Sequence, residues 1–225
     1  MTQPKITHFV LFTAMTLLCA YCTPSRIVQP LQKGERQVGA HLGGPLIKFA
    51  GAPIPIPFTS LSYAQGVTNK LTAFGGVGLT AAAFGVADID VGATYGLLVP
   101  QGARPGVSVS TDWHFMLDKW AGVFSCYPTL DANAYWTIGK PRNTAYIGLN
   151  NWFELRNTRA HGELQTQHWL PNLQAGYIFR HGKWNYTLEA KYLAAGIDNI
   201  KLVPDYIGAG GYGAFGFYFN VARSF

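Results

Sequence analysis

Charge is what this chain has little of. Lys and Arg number 17, Asp and Glu 11, so 12% of its 225 residues are charged, against roughly a quarter in soluble domains. A water-soluble barrel or sandwich carries much of its charge on the outer face, and here there is too little to cover one. The formal net charge is +6, and the cations Arg142, Arg156, Arg159, Arg180 and Lys183 are scattered along the chain. That spread suits contact with lipid phosphates and lacks the dense patch a nucleic-acid surface needs. Cysteine is scarce as well: of 3 in the chain, Cys19 and Cys22 stand near the start, leaving Cys126 alone in the body. An internal disulfide is therefore not expected, and a redox or zinc pair at Cys19 and Cys22 would be cut away or modified with the leader. The 6 histidines show no paired ligand spacing, so no metal is expected. The glycine-rich stretch 208–216 leads into a strand and not a helix, which removes a phosphate cradle. No cofactor is implied.

What the chain has in quantity is alternation. From Ile89 the odd positions read Ile89, Val91, Ala93, Tyr95 and Leu97, while Asp90, Gly92, Thr94 and Gly96 fill the even ones. Successive side chains of a strand point to opposite faces, so this stretch has one apolar and one polar face. Aromatics make up 14% of the residues and glycine contributes 26. The polar faces are mostly Gly, Ser, Thr, Asn and Gln, a lining that suits a narrow lumen. The apolar face is expected to meet lipid.

The organisation follows. Residues 1–22 read as an export signal: Lys5 opens it, 6–18 is apolar but too short to span a bilayer, and Cys19, Ala20, Tyr21 and Cys22 close it. Cys22 has two readings. A lipoprotein signal places an acylated cysteine after such a run, although Tyr21 stands where a small residue is usual and Leu18 is one position too far upstream. Plain cleavage would use Ala20 and Cys22 as the small residues of an A-x-A-like site. Residues 23–35 form a short polar leader with Pro24 and Pro30, and 36–225 form the barrel domain.

The fold class expected is all-β, a closed antiparallel up-and-down transmembrane β-barrel of 10 strands, with 8 as the alternative. The strands are expected at 36–49, 58–67, 71–84, 88–99, 106–117, 123–138, 144–155, 169–179, 184–195 and 212–225. The stretch 50–57, with Pro53, Pro55 and Pro57, is expected to stay out of any ladder. Pro128, inside the sixth strand, implies a bulge or locally broken pairing. Connections 68–70, 100–105, 139–143 and 180–183 are short, whereas 156–167 and 196–211 are the longest, matching short periplasmic turns and longer external loops.

The last strand ends Phe215-Gly-Phe-Tyr-Phe-Asn-Val-Ala-Arg-Ser-Phe225, with Arg223 on its apolar side. With the signal segment and the dyad-patterned strands, residues 36–225 resemble the bacterial outer-membrane β-barrel superfamily. That resemblance implies an outer-membrane location, lipid as solvent, and recognition of the C-terminal strand by the outer-membrane assembly machinery.

Charged lumen groups are where chemistry is to be sought: Asp90, Asp112, His114, Asp131, Glu154, Arg180, Glu189 and Lys191. Buried charges need partners, so a bracing network of ion pairs and hydrogen bonds is the first expectation. With Tyr127, Tyr135, Tyr146 and Trp152 also inward, a wide pore is not expected. Ser110, Asp112 and His114 share one strand face, but at about 7 Å between i and i+2 positions they are expected to lie beyond mutual hydrogen-bond reach. No catalytic residue is assigned. The leading expectation is a structural or surface-interaction role through external loops. The alternatives are a narrow channel or apolar-solute conduit, a lipid-modifying enzyme with His161 or His168 at the rim, and a soluble lipid-binding barrel.

Overall fold

The computed structural model describes residues 24–49, 51–139, 143–158, 164–199 and 206–225. Cys19, Cys22, Arg142, Arg159 and His161 lie outside the described residues. In chain order the elements are β1 (Arg36–Phe49), β2 (Ala52–Pro55), β3 (Phe58–Gly66), β4 (Leu71–Gly78), α1 (Leu79–Ala83) and β5 (Val86–Leu98). β6 (Gly106–Asp118), β7 (Val123–Ile138), β8 (Asn143–Phe153), β9 (Trp169–His181), β10 (Trp184–Asp198) and β11 (Tyr212–Ser224) follow.

Each strand from β3 to β11 pairs with its sequence neighbour, β1 pairs with β3, and β11 pairs back onto β1, where Gln37 faces Ser224 and Pro45 faces Gly216. That last ladder closes a ten-stranded antiparallel barrel. β2 stands outside the ring, paired only with the far end of β1 from Leu46 to Phe49. All its residues are exposed. The proline-rich stretch thus does join a ladder, contrary to the expectation, and it can because an edge strand needs donors on one side only. The expected third strand is cut short in the same way: β4 stops at Gly78, and 79–83 turn into α1.

Side-chain direction decides what solvent the barrel is made for. Ile89, Val91, Tyr95 and Leu97 are 45 to 49% exposed, whereas Asp90 is 2% and Thr94 0% exposed. Trp184 and Phe217 also point outward. A surface carrying so many exposed Leu, Val, Phe and Trp side chains matches hydrocarbon, and a closed ladder leaves no backbone edge unpaired in it. This is a membrane-spanning barrel. No helix among the described residues is long and apolar enough to cross a membrane, so the strands do the crossing. Arg223 faces outward near the end of β11 and lies over the Trp184 ring, 5.7 Å from its centroid. Both sit at the rim, where a guanidinium can snorkel to water.

The connections sort by end. The turns after β3, β5, β7 and β9, with both chain ends of the barrel at Arg36 and Phe225, lie at one end, hereafter the turn end. The α1 segment, the β2 hairpin and the long connections after β8 and β10 lie at the other, the loop end. Pro128 pairs in register with Trp113 without a bulge, but the β7–β8 ladder begins only at Thr129. The missing N–H therefore falls where β7 has a single neighbour.

Candidate functional site

The lumen is filled at three levels, each built by different chemistry. At the loop end the wall's own side chains meet. Val86, Met116, Tyr127, Trp152, Leu170, Ala194 and Ile197 are buried in one apolar cluster with Ala81 of α1. The Trp152 ring stacks 5.0 Å from His114 and lies 5.4 Å from Tyr127. Each such aromatic brings a large buried area, the dominant favourable contribution in any core.

The middle level is polar. Asp112 and His114, two apart on β6, join directly, Nε2 to Oδ2 at 3.0 Å. Their separation along the strand had placed them out of reach, and the structure corrects this. Side chains on one face can lean along the strand toward each other, so the backbone spacing overstates the gap. Lys191 and Glu189 do the same on β10, Nζ to Oε1 at 3.6 Å, and Tyr146 donates to Glu189 at 2.6 Å. Asn150 donates to Asp131, Asn172 donates to Asn150, and Gln174 donates to Asn133 at 2.7 Å. Ser110 meets Thr94 at 2.8 Å, not His114.

The turn-end level is filled by the leader. Residues 24–35 do not hang outside the barrel; they run through its lumen from the middle to the turn-end rim. Arg26 is buried and forms a two-pronged pair with Asp90, with Nε 3.2 Å from Oδ2, and donates to Ser60 at 2.8 Å. Asp90 was a candidate from sequence; its partner was not. The Ser25 backbone N–H donates to Glu189 at 3.1 Å, and its hydroxyl to Gln174 at 3.0 Å. Thr94 donates to the Ile27 carbonyl at 2.9 Å, Ser108 to the Val28 carbonyl at 2.6 Å, and the Leu31 N–H to Thr72 at 2.8 Å. Ile27 and Leu31 pack with Ala64 and Phe74, and Val28 packs with Tyr135 and Tyr146. At the rim the leader lies so close to β3 that a side chain at Gly66 would strike the Gln32 carbonyl. Gly66 and Gly34 are also joined backbone to backbone. The leader thereby has its polar backbone satisfied and its apolar side chains buried, the two requirements for staying inside.

Two of the sequence candidates lie away from the middle. Arg180 sits at the turn end, where it donates to Gln29 of the leader at 2.9 Å. It borders a cavity of about 120 Å³ with Glu35, Gln37, Asn185 and Thr187. Glu154 follows β8 at the loop end and accepts from the Arg156 N–H at 2.7 Å. Burial pushes its carboxyl above the ordinary range, partly offset by that N–H and by the Arg156 charge. Asp90, Asp112, His114, Asp131, Glu189 and Lys191 do gather at one level, with Arg26 among them. The signal that could have placed the leader was there: Ile27, Val28 and Leu31 are too many apolar residues for a solvated segment. No group of three or more metal-binding side chains occurs among the described residues.

No protein-family model matches the chain, and no curated protein does. Among solved structures the barrel is similar to an outer-membrane channel from Pseudomonas putida F1, at 12% identity and TM-score 0.48 over 90% of this chain and 100% of that one. It is similar to the translocator domain of the autotransporter NalP from Neisseria meningitidis, at 9% identity and TM-score 0.45 over 98% and 95%. The outer membrane protein OprG of Pseudomonas aeruginosa follows at 10% identity and TM-score 0.32 over 88% and 99%.

Proposed function

We propose that the chain is an integral outer-membrane barrel that acts through its loop end, as a structural or surface-interaction protein, and not as an open pore. The observation that carries this reading is the filled lumen: an apolar cluster, a polar girdle and the leader occupy successive levels. The short turns and both barrel termini at the turn end support an orientation with that end toward the periplasm and the loop end outside. A lipid-modifying role finds less support, because the Asp112–His114 pair is buried under Trp152 and Ser110 is engaged with Thr94. The test is conductance of the purified barrel in planar bilayers. The resting protein should give no stepwise current, and steady open-channel steps would overturn the reading.

A second reading, a lateral path for apolar solutes, rests on one feature. The β9–β10 ladder stops at Leu173 and Tyr192, leaving 169–172 of β9 unpaired with β10. Pro171 supplies no N–H there, and Ala194 has a left-handed backbone at φ 49°. Uptake of an apolar fluorophore into vesicles that depends on this barrel would favour it.

A further inference from the structure

Topology gathers cations that stand far apart in the chain. Lys33, Arg36, Lys70, Arg104, Lys183 and Arg223 belong to the leader, the turns after β3, β5 and β9, and the two ends of the barrel, so all six lie exposed at the turn end. Glu35 is the one acid there among the described residues. At the loop end Lys48, Lys119 and Arg156 are instead matched by Asp118, Glu154 and Asp198. The turn-end mouth therefore has a positive field, and a mouth ringed by one sign of charge concentrates ions of the other.

Inside that mouth lies the cavity of about 120 Å³ that Arg180 borders. It exists because the leader leans to one side. Ile27 and Leu31 pack on Ala64 and Phe74 of β3 and β4, and the Gln32 carbonyl lies against Gly66 of β3. The facing wall offers short side chains, Asn185 and Thr187 of β10 with Asn220 and Ala222 of β11. The gap between leader and wall has room for several waters, or for a solute of a few heavy atoms.

The protein leaves much of the Arg180 guanidinium unused. Arg180 stands in register with Asn185, which in turn faces Ala222. Of its side-chain nitrogens only Nη2 is bonded, to Gln29 at 2.9 Å and to Thr144 at 3.4 Å. Nε is buried without a partner, and Nη1 makes no hydrogen bond among the described residues. Glu35 lines the same cavity and makes no ion pair with Arg180; its Oε2 accepts the Gln32 N–H at 3.1 Å. One cavity thus holds a guanidinium and a carboxylate that do not pair with each other, beside the neutral amides of Gln29, Gln37 and Asn185 and the hydroxyl of Thr187.

We propose that this cavity binds a small hydroxycarboxylate carrying one negative charge, with its carboxylate on Arg180 and its hydroxyl donating to Glu35. A planar guanidinium with free N–H groups matches a carboxylate through forked, charge-assisted hydrogen bonds. The rest of the solute meets amides and a hydroxyl, which suit a hydrophilic body and give an apolar tail nothing to pack against. Glu35 sets the limit on charge, because a dianion brings a second negative charge against it. The exposed rim cations raise the local concentration of anions, and Arg180 makes the contact. Binding of this kind needs no open pore.

The experiment is titration of the folded full chain in detergent micelles, followed by saturation-transfer NMR on the added solute. Lactate and glycerate should bind saturably, with a dissociation constant on the order of 1 mM. Lactamide, which has no charge, and propionate, which has no hydroxyl, should each bind at least about tenfold more weakly. No binding of lactate or glycerate overturns the proposal. Lactamide binding as well as lactate overturns the contact with Arg180, propionate binding as well overturns the contact with Glu35, and sulfate binding more tightly than lactate overturns the hydroxycarboxylate assignment. Arg180→Gln should abolish lactate binding, but it also removes the bond to Gln29 of the leader. Ala222→Leu fills the cavity and leaves Arg180 in place; it should keep the heat-shifted gel band of the folded barrel and lose lactate binding. Full binding by Ala222→Leu places the solute elsewhere and overturns the site. None of these results depends on conductance, so this proposal and the closed-barrel reading can fail separately.

Discussion

The two halves of the lumen are closed by different means. At the loop end the plug belongs to the wall: Trp152, Leu170, Met116 and Ile197 come from four strands and cannot leave without unfolding them. At the turn end the plug is one extended segment, held by hydrogen bonds that Thr94, Ser108 and Thr72 make to its backbone and by the Arg26–Asp90 pair. The first kind of closure is permanent, and the second is separable from the barrel. The difference teaches that one half of the filling can be removed without dismantling the wall, whereas the other half cannot.

The largest expected effect comes from removing the separable half. Deleting residues 24–34 should leave a folded barrel with a vestibule open from the turn end to the girdle. Bilayer recordings should still show little steady current, because the loop-end cluster persists; adding Trp152→Ala to the deletion should produce resolvable steps. If the single deletion conducts freely, the loop-end cluster does not close the lumen. Next in size is Asp90→Ala, which strands the Arg26 guanidinium in the interior and should cost about 3–5 kcal/mol in urea unfolding from vesicles. The double variant Asp90→Ala with Arg26→Ala should recover part of that loss. Equal losses in single and double variants would mean that the unpaired Arg26 guanidinium is not what destabilises the single variant.

Outside, Leu188→Arg should cost about 2–4 kcal/mol if its level is the midplane, and substitution of inward Thr187 by Ser should be milder. Equal costs would contradict the facing assignment. Thr94→Val removes donation to Ile27 and should cost about 1 kcal/mol, read as a small shift in the same urea midpoint. The smallest effect is one of pH. The Glu154 carboxyl is raised in the fold by burial, so its protonated form favours the native state and that stabilisation is lost as pH climbs from the ordinary glutamate range through the raised value. Glu154→Gln should flatten stability across that window, and an unchanged pH profile would remove Glu154 as its cause.

Much of the architecture is legible in residue order because a period of two leaves a direct trace. Asp90 and Thr94 could be placed inward, and Val91 and Tyr95 outward, without any structure. The inward acids were visible for the same reason. What could not be read is what the leader does, since Thr94 and Ser108 bind its carbonyls, and backbone groups are the same in every sequence. The Asp112–His114 contact was missed because it depends on side-chain lean, which strand spacing does not encode. The β2 pairing was missed because proline is excluded from central strands but tolerated on an edge.

The central claim is that the leader lies inside a closed barrel, and limited trypsin digestion of the folded protein in vesicles, with products read by mass, tests it directly. Lys33, exposed at the turn end, should be cut readily, while the bond after the buried Arg26 should survive until the barrel is unfolded. Cleavage after Arg26 as fast as after Lys33 would contradict the account.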